Sequence, residues 1–133
     1  MKQFIILIWV FCASCELVKI GSGNTGIINP TQEYSIGTIY LLKAELDSGN
    51  TIGASELLIH PNGTAMKAME RYKSFNQLQR IGHIMKGKQI VYAMTDTIAV
   101  DKHSITCSFD YLQVLTFSLL KSDKSWFISD IKE

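Results

Sequence analysis

Apolar residues recur every three or four positions in the first half of the chain, which is the spacing of helices that bury one face. The pattern is clearest over Tyr34–Leu46 and stops at Asp47–Asn50. A second helix is predicted over Thr51–Ile59, because proline and glycine follow it at once. Two more helices should follow, the first capped by Thr64 and the second by a Ser74–Gln77 capping box. The last helix would bury Leu78, Ile81 and Met85.

In the second half, apolar and polar residues alternate, as they do along strands. The alternation breaks over Tyr111–Leu115, which predicts a bulge or a bend within one long strand. Polar residues predict turns at Asp101–Ser104 and Lys121–Lys124. The predicted strands are Gln89–Thr95, Thr97–Val100, Ile105–Leu119 and Trp126–Ile131. Helices followed by an antiparallel meander indicate an α+β fold, with N-terminal helices packed on one face of a curved antiparallel sheet.

The first residues have the layout of a secretory signal peptide. A positive start, Met1–Gln3, leads into a run of about 11 apolar and small residues, Phe4–Ser14. A helix that crosses a membrane needs about 20 apolar residues, so this run is too short to span one. Residues 1–14 are therefore predicted to be a signal peptide.

Cys12 and Cys15 follow at C-x-x-C spacing. A redox pair is expected where a strand meets a helix, and a zinc site needs a second pair of ligands, so the end of an apolar leader favours neither. Ala13-Ser14-Cys15 resembles a bacterial lipoprotein signal, which implies that Cys15 receives diacylglycerol and anchors the chain in a membrane. Cys12 departs from the aliphatic residue usual there, and ordinary cleavage after Ser14 stays an alternative.

Residues 15–32 are predicted to be a tether and residues 33–133 a single domain. The segment ELVKIGSGNTGIINPTQE is rich in glycine and small polar residues, which cannot bury enough surface to order the chain. A flexible segment of this length reaches about 25 Å, enough to hold a domain away from a membrane. Some 100 residues then remain, which suffice for one modest core.

Charge excludes strong attraction to nucleic acid, because 13 basic and 12 acidic residues nearly cancel. Between Lys67 and Lys88, six basic residues accompany one acid, Glu70. We expect a solvated helical face there, with contact to anionic headgroups or an anionic partner as the alternative. Cys107 alternates with Ile105 and Phe109, and is expected to be buried as a small apolar residue.

The order of elements resembles the nuclear transport factor 2-like (cystatin-like, SnoaL-like) superfamily, as found in small envelope lipoproteins of Bacteroidetes type. The resemblance lies in a helical phrase, Tyr40–Gly49, and in two closing strand segments, Leu115–Lys121 and Lys124–Lys132. It implies a cone-shaped domain whose sheet and helices enclose a pocket. Enzymes, ligand binders and interaction modules all use this fold, so the fold does not decide the function.

Enzymes of this superfamily often place an aspartate and a histidine in the cone, which makes Asp110, Tyr111 and His83 the candidate catalytic residues. Asp110 has the parity of the polar strand positions and should face solvent, and His83 lies near a helix end. His103 and His60 are expected in exposed turns. No cofactor or metal is indicated.

The sequence therefore favours a lipid-anchored protein of the cell envelope, facing the periplasm or the cell surface. We expect it to be a non-catalytic module that binds a protein or a small apolar ligand. The alternative is a small pocket enzyme of the isomerase, dehydratase or cyclase type.

Overall fold

Four helices precede four strands in the computed structural model, which describes residues 28–110 and 113–133. The predicted signal peptide, Cys15, most of the tether and Tyr111 lie outside the described residues. The α+β class predicted from the sequence is confirmed. The helices are α1 (Ser35–Asp47), α2 (Thr51–Ser55), α3 (Ala68–Lys73) and α4 (Phe75–Met85). The strands are β1 (Ile90–Ala99), β2 (Lys102–Phe109), β3 (Gln113–Ser122) and β4 (Ser125–Lys132).

The strands form one antiparallel sheet in chain order, β1-β2-β3-β4. Each strand pairs with the next through a short turn, so Ile105 lies opposite Phe117, and Phe117 lies opposite Ile131. Because side chains alternate along a strand, this register gathers the apolar positions of β2, β3 and β4 on one face of the sheet. The other face carries mainly serine and threonine.

The core lies between the apolar face of the sheet and the helices α1, α2 and α4. Cys107 is fully buried in this core, as predicted. Burying a leucine, isoleucine or phenylalanine side chain stabilises the fold by about 1.5–3 kcal/mol. The fully buried side chains of the core include Ile39, Leu42, Leu78, Ile81, Met85, Ile105, Phe109, Phe117, Leu119 and Ile128.

The structure differs from the predicted strands at two turns. Gln89–Val100 was expected as two strands, but β1 is continuous and its turn to β2 falls at Val100–Asp101, so His103 and Ser104 lie within β2. The predicted bulge is instead a chain reversal between Phe109 and Gln113, which lie opposite each other in the sheet. Asp110 opens this reversal with a φ of 50°, a left-handed conformation that aspartate tolerates better than most residues.

The short helices also differ from the prediction. Helix α2 ends at Ser55, because the residues after it pair with β4: the backbone N–H of Ile59 donates to the carbonyl of Ile128 at 2.9 Å. Thr64 does not cap α3, since its side chain bonds to Asn62. The Ser74 side chain makes no capping hydrogen bond, and α3 and α4 are nearly continuous around it.

Candidate functional site

Two of the three candidate catalytic residues, Asp110 and His83, lie at the end of the sheet and on α4. The carboxylate of Asp110 lies 3.5 Å from the Lys88 ammonium group, in the turn between β2 and β3. His83 is exposed in the last turn of α4. Within the described residues, no hydrogen bond or ion pair joins Asp110 to His83. Tyr111 lies outside the described residues.

Another histidine, His103, lies in a different place from the turn that the sequence predicted. His103 lies in β2 and is half-buried, where the sequence predicted an exposed turn. Its Nδ1 atom lies 2.7 Å from the Oγ atom of Ser35, the first residue of α1. The imidazole also stacks on the indole of Trp126, with ring centroids 4.2 Å apart. Ile105 and Cys107 occupy alternate positions of β2 that face the core, and His103 is the alternate position before Ile105. This spacing is the signal in the sequence that places His103 on the core face.

Trp126 is fixed by the segment that leads into α1. Its backbone N–H donates to the carbonyl of Gln32 at 2.8 Å, and its carbonyl accepts from the Gln32 amide at 2.9 Å. The same carbonyl accepts from the hydroxyl of Thr38 at 3.3 Å. The start of α1, β2 and β4 therefore meet in one small polar cluster, the Ser35–His103–Trp126 cluster.

A serine in contact with a histidine is the arrangement of a nucleophile and its base. Here the serine is only 7% exposed, and the described residues place no carboxylate against the imidazole. A substrate has no open route to the Ser35 hydroxyl. The role of this cluster is structural: it holds the first turn of α1 on the sheet.

Two groups have raised pKa values: Cys107, which is buried, and Tyr40, which is half-buried. Burial raises the pKa of the Cys107 thiol to about 12, which suppresses the reactive thiolate. Burial also raises the pKa of Tyr40, with a smaller contribution from the nearby Cys107. Neither group is suited to exchange protons near neutral pH.

A shallow groove of about 200 Å³ lies between the α2–α3 connection and the β3–β4 hairpin. Met66 and Phe127 provide apolar walls, and Glu56 and Arg71 bring opposite charges. The guanidinium of Arg71 already donates to the carbonyl of Met66 at 3.3 Å. This groove opens on the surface, and the buried residue Ile59 forms part of its lining.

Strand β1 exposes the most apolar surface among the strands. Its register with β2 shifts near both ends, which leaves Tyr92–Thr97 as the regular stretch. Ile98 is 60% exposed, and Val100, just beyond the strand, is 90% exposed. Over the described residues β1 pairs with β2 alone, so one row of its backbone groups forms a free edge. The other exposed apolar residues here are Val91, Tyr92 and Met94.

The free edge of β1 lacks two of the usual protections, lysine and proline. Exposed edge strands normally carry lysine or proline, which discourage pairing with another strand. Between Ile90 and Ala99 there is neither, and Asp96 is the one charged residue. This edge can therefore accept an additional strand, with backbone hydrogen bonds supplying affinity and the flanking side chains supplying selectivity.

Two further findings concern the part of the chain that the structure describes. No group of three or more histidine, cysteine, aspartate or glutamate side chains there is arranged to hold a metal ion. None of the helices α1 to α4 has the length and apolar character needed to cross a membrane.

Comparison with protein-family models finds no family that matches this chain, and comparison with curated proteins finds no match either.

Proposed function

We propose that this chain is a lipid-anchored, non-catalytic module of the cell envelope that binds an extended segment of another protein along β1. A lipidated Cys15 and a flexible tether, as expected from the sequence, would attach the domain to the membrane. The order of helices and meander also supports a nuclear transport factor 2-like fold for the domain, which is part of this proposal.

The observation that carries the binding role is the free edge of β1, which has neither lysine nor proline. A strand added there would pair with the regular stretch Tyr92–Thr97, beside the exposed side chains of Tyr92 and Met94. Main-chain hydrogen bonds form with any sequence, so the apolar side chains would select the partner. A partner segment with apolar residues at alternate positions fits this surface best.

A photo-crosslinking amino acid at position 92 tests the binding role in intact cells. Tyr92 and Tyr34 are replaced, one at a time, by benzoylphenylalanine. Tyr34 is the matched control, because it is also a largely exposed tyrosine, at the start of α1. We expect an adduct of one discrete mass from position 92 and none from position 34. An adduct with twice the mass of the chain would indicate self-association through β1 instead.

A variant with two lysines on the edge tests whether the adduct depends on pairing with β1. Tyr92→Lys with Met94→Lys adds the charges that natural edge strands use against pairing. Both side chains are about half exposed, so the domain should fold normally. With the crosslinker moved to Ile98, the adduct should disappear in the double variant. An adduct of unchanged yield would contradict strand addition.

The anchor is tested by the intact mass of the membrane-extracted protein beside a Cys15→Ala variant. The mass expected is that of the chain without residues 1–14 and with acyl groups, and the variant should lack the acyl mass. A retained leader with free thiols at Cys12 and Cys15 would overturn the anchor and favour a redox role for the pair.

The alternative, a small pocket enzyme, has less support from the geometry. It needs an acid and a base that converge on a substrate. Asp110 faces Lys88, and His83 is exposed on α4. The Ser35–His103 contact is nearly closed to solvent.

A further inference from the structure

Helix α3 turns its apolar side chains to solvent, unlike most helices of water-soluble domains. Such helices normally turn apolar residues to the core and charged residues to solvent. In α3 no residue is buried, and its apolar side chains Met69 and Tyr72 are 69% and 67% exposed. Two of its charged side chains, Glu70 and Arg71, bond to the segment that precedes the helix.

Three contacts hold these two side chains against the segment before α3. The Glu70 carboxylate accepts from the backbone N–H of Lys67 at 2.7 Å and lies 3.0 Å from Nε2 of His60. The Arg71 guanidinium donates to the carbonyl of Met66. Because a helix turns by about 100° per residue, residues 70 and 71 share one side of α3. The opposite side then carries Met69, Tyr72 and Lys73.

The solvent side of α3 is apolar and positive. The Tyr72 ring contacts the Phe75 ring, with centroids 5.2 Å apart, and this contact extends the apolar surface towards α4. Lys73 is exposed on this side and makes no ion pair within the described residues. Lys67 lies on the side of Glu70, and its charge helps to lower the pKa of that carboxyl. Glu70 is the one acid of α3, so no acid of this helix offsets Lys73.

We propose that the outer side of α3 is a membrane-contact surface that binds the headgroup region of an anionic lipid bilayer. Tyrosine is a residue of the membrane interface, where its ring lies among the headgroups and its hydroxyl stays hydrated. Methionine reaches just below, and the Lys73 ammonium group pairs with a lipid phosphate. An acidic protein surface would satisfy Lys73 but would leave the apolar side chains of Met69 and Tyr72 without a match, so we commit to lipid.

The contact is small, so it acts on a domain that is already near a membrane. Two apolar side chains and one lysine give weak binding in free solution. A tether converts the second contact into an intramolecular event and raises the effective concentration of the bilayer. The surface would therefore orient a tethered domain and fix which side of it faces outward.

Hydrogen exchange on vesicles tests the proposal without depending on Cys15. The full chain, purified with a C-terminal histidine tag, is held by nickel-chelating lipid on vesicles of phosphatidylcholine alone or of phosphatidylcholine mixed with phosphatidylglycerol. Exchange of the backbone amides of residues 66–73 is then compared. We expect several-fold slower exchange on the anionic vesicles than on the neutral ones. Equal exchange on both would overturn the proposal.

Two variants separate the apolar and the charged parts of the surface. Met69→Ser with Tyr72→Ser should abolish the protection, and Lys73→Glu should abolish its dependence on anionic lipid. The matched control is Tyr92→Ser with Met94→Ser, which removes the same residue types from the exposed edge of β1. The control should keep the protection of residues 66–73. Protection that survives in the Met69 and Tyr72 variant, or that vanishes equally in the control, would contradict a lipid contact at α3.

Discussion

The imidazole of His103 joins two parts of the fold, because its Nδ1 atom lies 2.7 Å from Oγ of Ser35 while its ring stacks on Trp126. Residues 35 and 103 are distant in sequence, and this one contact ties the first turn of α1 to β2. The helix start has no side-chain cap of its own. The histidine therefore holds the helix start through the Ser35 side chain and not through the backbone N–H groups that a capping residue would bind.

Removing the Ser35 hydroxyl should destabilise the domain. Ser35→Ala leaves the half-buried imidazole nitrogen without its partner, and a hydrogen bond of this kind contributes about 1 kcal/mol to the free energy of unfolding. Urea denaturation measures the loss. The control is Ser48→Ala, because the Ser48 hydroxyl bonds to the Glu45 carbonyl on an exposed surface and its loss should cost less. Equal losses in the two variants would contradict a special role for Ser35.

Cys107 should resist alkylation in the folded protein. With its pKa raised to about 12 by burial, the thiolate is scarce at pH 8. Relative to an ordinary thiol, the thiolate fraction falls by about a thousandfold. Iodoacetamide labelling, located by peptide mass, should modify Cys107 in urea but hardly at all without urea. Rapid labelling of the folded protein would mean that the core opens at β2.

The turn between β3 and β4 stores backbone strain. Asp123 and Lys124 both have positive φ, 48° and 69°, and a left-handed conformation costs an ordinary residue about 1–2 kcal/mol. Lys124→Gly should raise the free energy of unfolding by about 0.5–1 kcal/mol after the entropic cost of glycine. Lys121→Gly, a matched change within β3, should lower it. Thermal unfolding of both variants gives the comparison, and a loss of stability in Lys124→Gly would contradict the strained turn.

Glu70 should make the domain sensitive to acid. Hydrogen bonds from the Lys67 backbone and from His60 hold the pKa of the Glu70 carboxyl below its ordinary value of 4.5. A carboxyl with a lowered pKa stabilises the fold above its unfolded pKa, and this contribution disappears as the pH falls through the folded pKa. Glu70→Gln should therefore be less stable than the natural protein at pH 7, and the difference should vanish in strong acid. A difference that is constant with pH would contradict the interpretation.

Much of the fold was predictable, because core burial follows simple spacing. The three-and-four spacing in Tyr34–Leu46 located α1, and the alternation of Ile105, Cys107 and Phe109 located the buried face of β2. The short helices were harder. The Thr51–Ile59 helix was predicted too long, since Leu57 and Ile59 pair with β4, a distant segment that local sequence does not reveal. Tertiary pairing overrode helix propensity there.

The notable surfaces were less predictable than the core. Polar neighbours made His103 look like a turn residue, although its parity matches that of Ile105. The exposure of Tyr72 and Met69 could not be foreseen, because spacing says which residues share a side of α3 but not which side meets the protein. That choice depends on Glu70 reaching back to His60. A ten-residue separation of this kind leaves no periodic trace in the sequence.

The position of β1 also sets the order in which the domain opens. Every strand of the meander pairs with its neighbour in the chain, so β1 can separate from β2 while β2, β3 and β4 remain paired. None of its side chains is fully buried, and Ile90 and Ala93 alone touch the core. It is therefore the strand with the lowest free energy of local opening. A protein that pairs with the free edge of β1 would raise the free energy needed to open this strand. Binding would therefore make the domain more rigid.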